Sequence, residues 1–177
     1  ESREREQVQA IRAELAAIDP PRACCRAAER EGLGRAAQGH ARAPVSARLA
    51  VRVAGGETGA GSERDGDVGP GSRGQCRAAW LRGRFLSVGS LSLGARGAHL
   101  ELVAPADEGE ELQRRLTEAG FDTTSRLRRG RAVLTSKRTE TILGFLRYCG
   151  AGASVLEIES RLVMRQLQGH LNRVLNA

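Results

Sequence analysis

An α+β fold is predicted for this 177-residue chain, and three features of the sequence predict it. A helical segment with a glycine near its middle runs into an alternating strand twice, over 24–53 and again over 76–103. The stretch between them, 55–74, holds eight glycines and no hydrophobic period, so it buries too little to fold by itself. A basic hairpin and further helices follow the second strand. The expected organisation is therefore a first half over 1–54, a flexible linker over 55–74, and a second half with closing helices over 75–177.

The first element is a helix, because Val8, Ile11, Leu15 and Ile18 recur at spacings of three and four and form one apolar stripe. Asp19-Pro20-Pro21 must stop it, since proline lacks the amide hydrogen and clashes with the preceding turn. An Ala-rich helix is expected from Cys24 to about Gln38, although Gly32 and Gly34 each cost it roughly 1 kcal/mol relative to Ala. Two glycines two residues apart call for a packing reason. Val45, Ala47, Leu49, Val51 and Val53 then alternate with Ser46, Arg48, Ala50 and Arg52, giving a strand whose second face presents Arg48 and Arg52 together.

Beyond the glycine-rich stretch, Cys76 to about Val88 reads as a helix carrying Trp80, Leu81, Phe85 and Leu86, again with a central glycine, Gly83. Gly89 is its expected stop. Ala98, Leu100 and Leu102 alternate with His99, Glu101 and Val103 in a strand closed by Pro105. A helix from about Asp107 to Ala119 turns Leu112 and Leu116 inward. Residues 125–134 read as a hairpin turning near Arg129-Gly130. Ile142, Leu143, Phe145, Leu146 and Cys149 mark the next helix. The last begins at a capping box, Ser154-x-x-Glu157, and is expected to run through Leu156, Val163, Leu167, Leu171 and Val174.

Composition narrows the function. With 28 Lys+Arg against 21 Asp+Glu the formal charge is +7, which attracts polyanions. Lys137 is the sole lysine, and abundant Arg, Gly and Ala is also what a GC-rich genome produces, so charge by itself assigns no site. The densest basic feature is 121–138, where six basic residues face the single acid Asp122. No apolar run approaches the ~18–20 residues of a membrane span, and the charged start is unlike a signal peptide, so a soluble cytoplasmic protein is expected.

Catalytic signatures are missing: there is no phosphate-binding G-x-x-x-x-G-K-[ST] loop, no H-E-x-x-H and no G-x-S-x-G. His40, His99 and His170 fall on separate predicted elements. Glu108, Glu110 and Glu111 sit in a helix's first turn, where they complement its dipole. Cys24, Cys25, Cys76 and Cys149 include no C-x-x-C pair and no histidine at ligand spacing, so reduced thiols rather than a metal site are expected. No cofactor is expected.

The segment Leu81-Arg82-Gly83-Arg84-Phe85-Leu86-Ser87-Val88-Gly89 resembles the nine-residue LAGLIDADG motif of homing endonucleases, with Gly83 and Gly89 on its two glycines. Further matches are the Asp19-Pro20 stop, Cys24-Cys25-Arg26-x-Ala28-Glu29 and Cys76-Arg77-x-Ala79-x-Leu81-Arg82-Gly83-x-Phe85-Leu86. With the His99-Leu100-Glu101 strand and Gly169-x-x-Asn172-Arg173, these resemble the WhiA family (DUF199) across the whole chain except the glycine-rich stretch. That resemblance implies a LAGLIDADG homing-endonuclease-like fold in which two helices pack through Gly32, Gly34, Gly83 and Gly89. It also implies a bacterial transcription regulator of sporulation and cell division, located in the cytoplasm at the nucleoid, with a helix-turn-helix domain before which this chain stops.

In the nucleases the eighth motif position is an acid that holds Mg²⁺ and activates water. Here the resemblance places Ala37 and Val88 at those two positions, so no catalytic residue, no metal and no enzymatic activity are expected. The first half departs from the family, which has a further helix and strands where this chain is glycine-rich. The partners implied are double-stranded DNA, held weakly by this domain alone, and other transcription regulators. Candidate DNA contacts are Arg48 and Arg52 in the first half and Arg126, Arg128, Arg129 and Arg131 in the second; the alternatives are a solvated basic hairpin and a protein-interaction scaffold.

Overall fold

The computed structural model describes residues 2–34, 70–94 and 97–175. Helix α1 (Ser2–Ala17) ends before Asp19-Pro20-Pro21 and buries Ile11 and Leu15 completely. Helix α2 (Ala23–Leu33) stops five residues short of the predicted end. The reason is Gly34: its φ is +59°, and its amide closes the last turn on the carbonyls of Arg30 and Glu31. The predicted strand 45–53, with Arg48 and Arg52, and the motif position Ala37 lie outside the described residues.

Helix α3 (Pro70–Val88) begins six residues before the predicted start, so the last five residues assigned to a linker are helical. Proline suits a helix's first position because its φ is preset and that amide needs no partner. Tyr148 donates its hydroxyl hydrogen to the Gly74 carbonyl at 3.2 Å, a tertiary contact that composition could not reveal. Gly89 ends α3 as predicted but also opens a strand that was not foreseen, β1 (Gly89–Gly94). Its Gly-Ser-Leu-Ser-Leu-Gly sequence is short and small, and it is held as a strand by pairing with β2 (Gly97–Pro105).

A 3₁₀ turn (Ala106–Glu108) then leads into α4 (Gly109–Glu118), which buries Leu112 and Leu116 as predicted. The hairpin is β3 (Thr124–Arg128) with β4 (Arg131–Ser136), turning at Arg129 (φ +52°) and Gly130 (φ +71°). Two consecutive positive φ values are the geometry whose twist matches a two-residue hairpin. The sheet is antiparallel throughout, in the order β1-β2-β4-β3.

Helix α5 (Thr139–Cys149) closes at Gly150, φ +114°, with the Ala151 amide bonded back to the Leu146 carbonyl at 2.9 Å. Helix α6 (Gly152–Leu175) runs through the expected residues and corrects one expectation. The Ser154-x-x-Glu157 capping box does not form; Glu14 of α1 accepts the Ala153 and Ser154 amides, each at 2.9 Å. Its apolar residues divide between two faces: Leu156, Val163, Leu167, Leu171 and Val174 are 53–64% exposed, while Val155 and Ile158 are buried. The helix presents its Val155–Ile158 face to the body and then runs past it.

One core joins these elements except β3, whose residues are all exposed, and the 3₁₀ turn, which buries none. Phe85, Phe145, Phe121 and Tyr148 form an edge-to-face chain with centroids 5.4–6.0 Å apart. Ile11 and Leu15 of α1 share that core with Leu81, Phe85, Leu102 and Leu134. Among the described residues no helix is long and apolar enough to cross a membrane.

Candidate nucleic-acid interface

The site is built on two helices that touch through glycine. A Cβ at Gly32 would lie 2.1 Å from the Trp80 carbonyl oxygen, and one at Gly83 would lie 2.4 Å from that of Glu29. Contacts advance in one direction along both helices, from Cys25–Cys76 through Glu29–Arg82 to Gly34–Arg84, so α2 and α3 run parallel. The sequence carries a signal of this pairing: Cys-Arg-Ala-Ala stands at 25–28 and again at 76–79, with Gly32 and Gly83 each seven residues after the cysteine. The repeat offset brings equivalent positions face to face.

Polar groups lock the same contact. Arg82 Nε donates to Glu29 at 2.7 Å, with both side chains nearly inaccessible, and Arg82 Nη1 donates to the Cys149 carbonyl at 3.1 Å. Trp80 lies under the guanidinium groups of Arg115 and Arg84, 4.1 and 5.2 Å from its centroid, and its indole N–H donates to Glu31. Arg12 donates to the Leu86 and Gly89 carbonyls and so caps the end of α3 where β1 begins. Val88, at the motif's acid position, has no side-chain oxygen, and the neighbouring Ser87 hydroxyl is turned back onto the Arg84 carbonyl.

The helices hold one face of the sheet. Leu91, Leu100, Leu102, Ala104, Ala132 and Leu134 share that face and are all buried. The register sets Ser90, Ser92, His99, Glu101, Val103, Arg131, Val133, Thr135, Thr124, Arg126 and Arg128 on the other. There, Arg128 and Arg131 are directly opposite one another, and Arg126 is opposite Val133. Arg129 sits at the exposed turn. Leu127, between these arginines, is paired with Ala132 on the helix side of the sheet yet is 70% exposed.

Near the other end of β3, His99, Asp122, Thr123, Thr124, Arg126, Thr135, Ser136, Lys137 and Arg138 line a concavity of about 560 Å³. Lys137 and Arg138, which sequence reasoning counted as charge but did not place, therefore join Arg126. Among the described residues none of Arg126, Arg128, Arg129, Arg131, Lys137 and Arg138 has a carboxylate partner. Arg77, Arg82, Arg84, Arg114, Arg115, Arg147 and Arg161, by contrast, are each paired with one.

Parallel helices packed through glycine, running into an antiparallel sheet whose far face carries arginines at its β3 edge, define a LAGLIDADG-type domain. The chain belongs to the family of WhiA LAGLIDADG-like domains, whose model matches residues 77–168. It is 34% identical over 102 residues to the probable cell division protein WhiA of Caldicellulosiruptor bescii, a match covering 57% of this chain and 31% of that one. To the same-named protein of Alkaliphilus oremlandii it is 35% identical over 103 residues, covering 57% and 32%. The chain thus spans about a third of the length of these relatives.

Among solved structures it is similar to full-length DUF199/WhiA from Thermatoga maritima, with a TM-score of 0.71, 19% identity, and coverage of 94% of this chain and 69% of that one. The N-terminal LAGLIDADG domain of DUF199/WhiA gives a TM-score of 0.63 at 18% identity, covering 79% and 88%. At these identities the likeness is one of fold.

Proposed function

We propose that this chain is a non-cleaving, double-stranded-DNA-binding domain of a bacterial transcription regulator acting in sporulation and cell division, working at the nucleoid. The observation that carries the reading is the set of cations at β3, its turn and the end of β4 that have no carboxylate partner among the described residues. Like charges directly across a strand pair, as at Arg128 and Arg131, destabilise a hairpin by themselves. A line of phosphates relieves that repulsion. Contacts of this kind give affinity and salt dependence with little sequence choice. The absence of a side-chain oxygen at Val88 supports binding without cleavage, and the relatives' naming as cell division proteins supports the regulatory role.

The test is duplex-DNA binding at about 50 and 200 mM salt with Mg²⁺ present, nicking being scored in the same tubes. About six phosphate contacts predict a loss on the order of a thousandfold across that range, with the DNA left intact. The triple charge reversal Arg126→Glu, Arg128→Glu, Arg131→Glu abolishes binding on this reading.

A second reading, a protein-interaction scaffold in the same regulator, is favoured by α6. Val163, Met164, Leu167, Leu171 and Val174 are more than half exposed on one projecting helix. On that reading the triple reversal leaves the DNA affinity of the full-length regulator unchanged.

A further inference from the structure

Three of the four cysteines, from two different helices, meet at one point. Cys24 and Cys25 open α2 and Cys76 lies on α3, and their three sulfur atoms are all within 4.8 Å of one another. Cys25 Sγ and Cys76 Sγ are 3.6 Å apart. All are free thiols: Cys24 is exposed, Cys76 half-buried and Cys25 buried. Cys149, the fourth, is fully buried elsewhere in the core and takes no part.

We propose that Cys24, Cys25 and Cys76 form a three-thiolate site for a soft, thiophilic cation of the Zn²⁺ class, with a fourth coordination position open to solvent beside Cys24. The geometry favours it. A zinc–sulfur bond of about 2.3 Å in a tetrahedral site sets neighbouring sulfur atoms about 3.8 Å apart. The Cys25–Cys76 separation of 3.6 Å is close to that value and none exceeds 4.8 Å, so closing on a cation needs movements on the order of 1 Å or less. Thiolate is the ligand type that selects such metals over Mg²⁺ or Ca²⁺.

The local electrostatics favour one thiolate at this point and oppose three. Cys24 and Cys25 occupy the second and third positions of α2, where the helix's positive end favours thiolate over thiol. A hydrogen bond from Cys76, aided by Arg22, holds the Cys24 thiol below its ordinary range despite some desolvation. Burial pushes Cys25 up, and burial together with the two neighbouring sulfurs pushes Cys76 to about 12. Three thiols so placed cannot all ionise alone, since each new thiolate faces the others. A divalent cation removes that obstacle, each metal–sulfur bond replacing one S–H proton.

The site has a structural consequence. Cys25 and Cys76 each lie two helical turns, roughly 10 Å, before the glycine at which the helices cross. A bound cation would therefore clamp α2 to α3 on the side of the crossing opposite β1, steadying the helix pair that carries the sheet. Spacing in sequence concealed this, because Cys24-Cys25 is a vicinal pair and its third partner is 51 residues from Cys25.

The experiment is Zn²⁺ titration of the reduced full chain against a chromophoric chelator, with Cd²⁺ as a second probe whose thiolate charge-transfer absorption counts sulfur ligands. Cys24→Ser, at an exposed position that tolerates the change, and Cys76→Ser are compared with Cys149→Ala, each first checked for native circular dichroism. The expected result is one Zn²⁺ per chain and three Cd–thiolate bonds. Affinity should fall on the order of a hundredfold or more in both serine variants and stay unchanged in Cys149→Ala. Failure of the reduced chain to bind Zn²⁺, or binding that Cys24→Ser leaves unaltered, would overturn the proposal. So would a Cys25–Cys76 disulfide that persists in excess reductant and excludes the metal.

Discussion

Glu29 and Arg82 are joined by a 2.7 Å ion pair between α2 and α3, with side chains 1% and 7% exposed. Removing either partner leaves the other charged, buried and uncompensated. Glu29→Ala or Arg82→Ala should therefore lose about 3–5 kcal/mol in urea unfolding. A paired replacement by apolar residues of similar volume, Glu29→Leu with Arg82→Met, should recover most of that loss, and a double-mutant cycle reads the coupling.

Two glycine substitutions should have opposite signs. At Gly83 a methyl group would stand 2.4 Å from the backbone oxygen of Glu29, so Gly83→Ala must spread the helix pair. A loss of about 1–3 kcal/mol, or more, is expected. Gly169 lies on the exposed part of α6 with open space around its added methyl. Gly169→Ala should stabilise by up to about 1 kcal/mol, since alanine loses less backbone entropy in a helix. Thermal unfolding of the two variants separates packing from propensity.

The link from Glu14 to the start of α6 predicts an acid-sensitive contact. Partial burial pushes the Glu14 carboxyl up, but hydrogen bonds from Ser154 and Ala153 outweigh it and hold the group below the usual carboxylate range. A carboxylate depressed on folding contributes stability above its unfolded pKa of about 4.3, lost as pH falls through the folded value. Glu14→Gln should thus lower stability by about 1 kcal/mol at neutral pH. The difference from wild type should shrink toward the acid end of a pH series.

Single arginine variants should sort by partner. Arg128→Ala removes one proposed phosphate contact and should reduce the slope of log affinity against log salt by about 1. Arg114→Ala removes a cation already held by Glu111 and Glu118 and should leave that slope unchanged. Anisotropy titrations over several salt concentrations distinguish them.

Local pattern was enough for most elements. The Val8–Ile18 stripe, the Leu112/Leu116 face, the alternation from Ala98 to Val103 and the Arg129-Gly130 turn each follow from the 3.6- or 2-residue period and from glycine's access to positive φ. Those periods are properties of the chain itself, and they make the basic hairpin and the glycine-centred helix legible from the order of residues alone. Everything that depends on a partner distant in sequence was not. Gly-Ser-Leu-Ser-Leu-Gly is a strand only because β2 lies beside it; α3 reaches back to Pro70, where Tyr148 meets its first turns. The start of α6 is capped by Glu14 from across the core, not by Glu157 one turn on. The stripe on α6 could be counted but not oriented, since Val155 and Ile158 were equally apolar and only the body of the domain decides which face it covers. The three sulfurs, likewise, are neighbours solely because two Cys-Arg-Ala-Ala segments cross at their glycines.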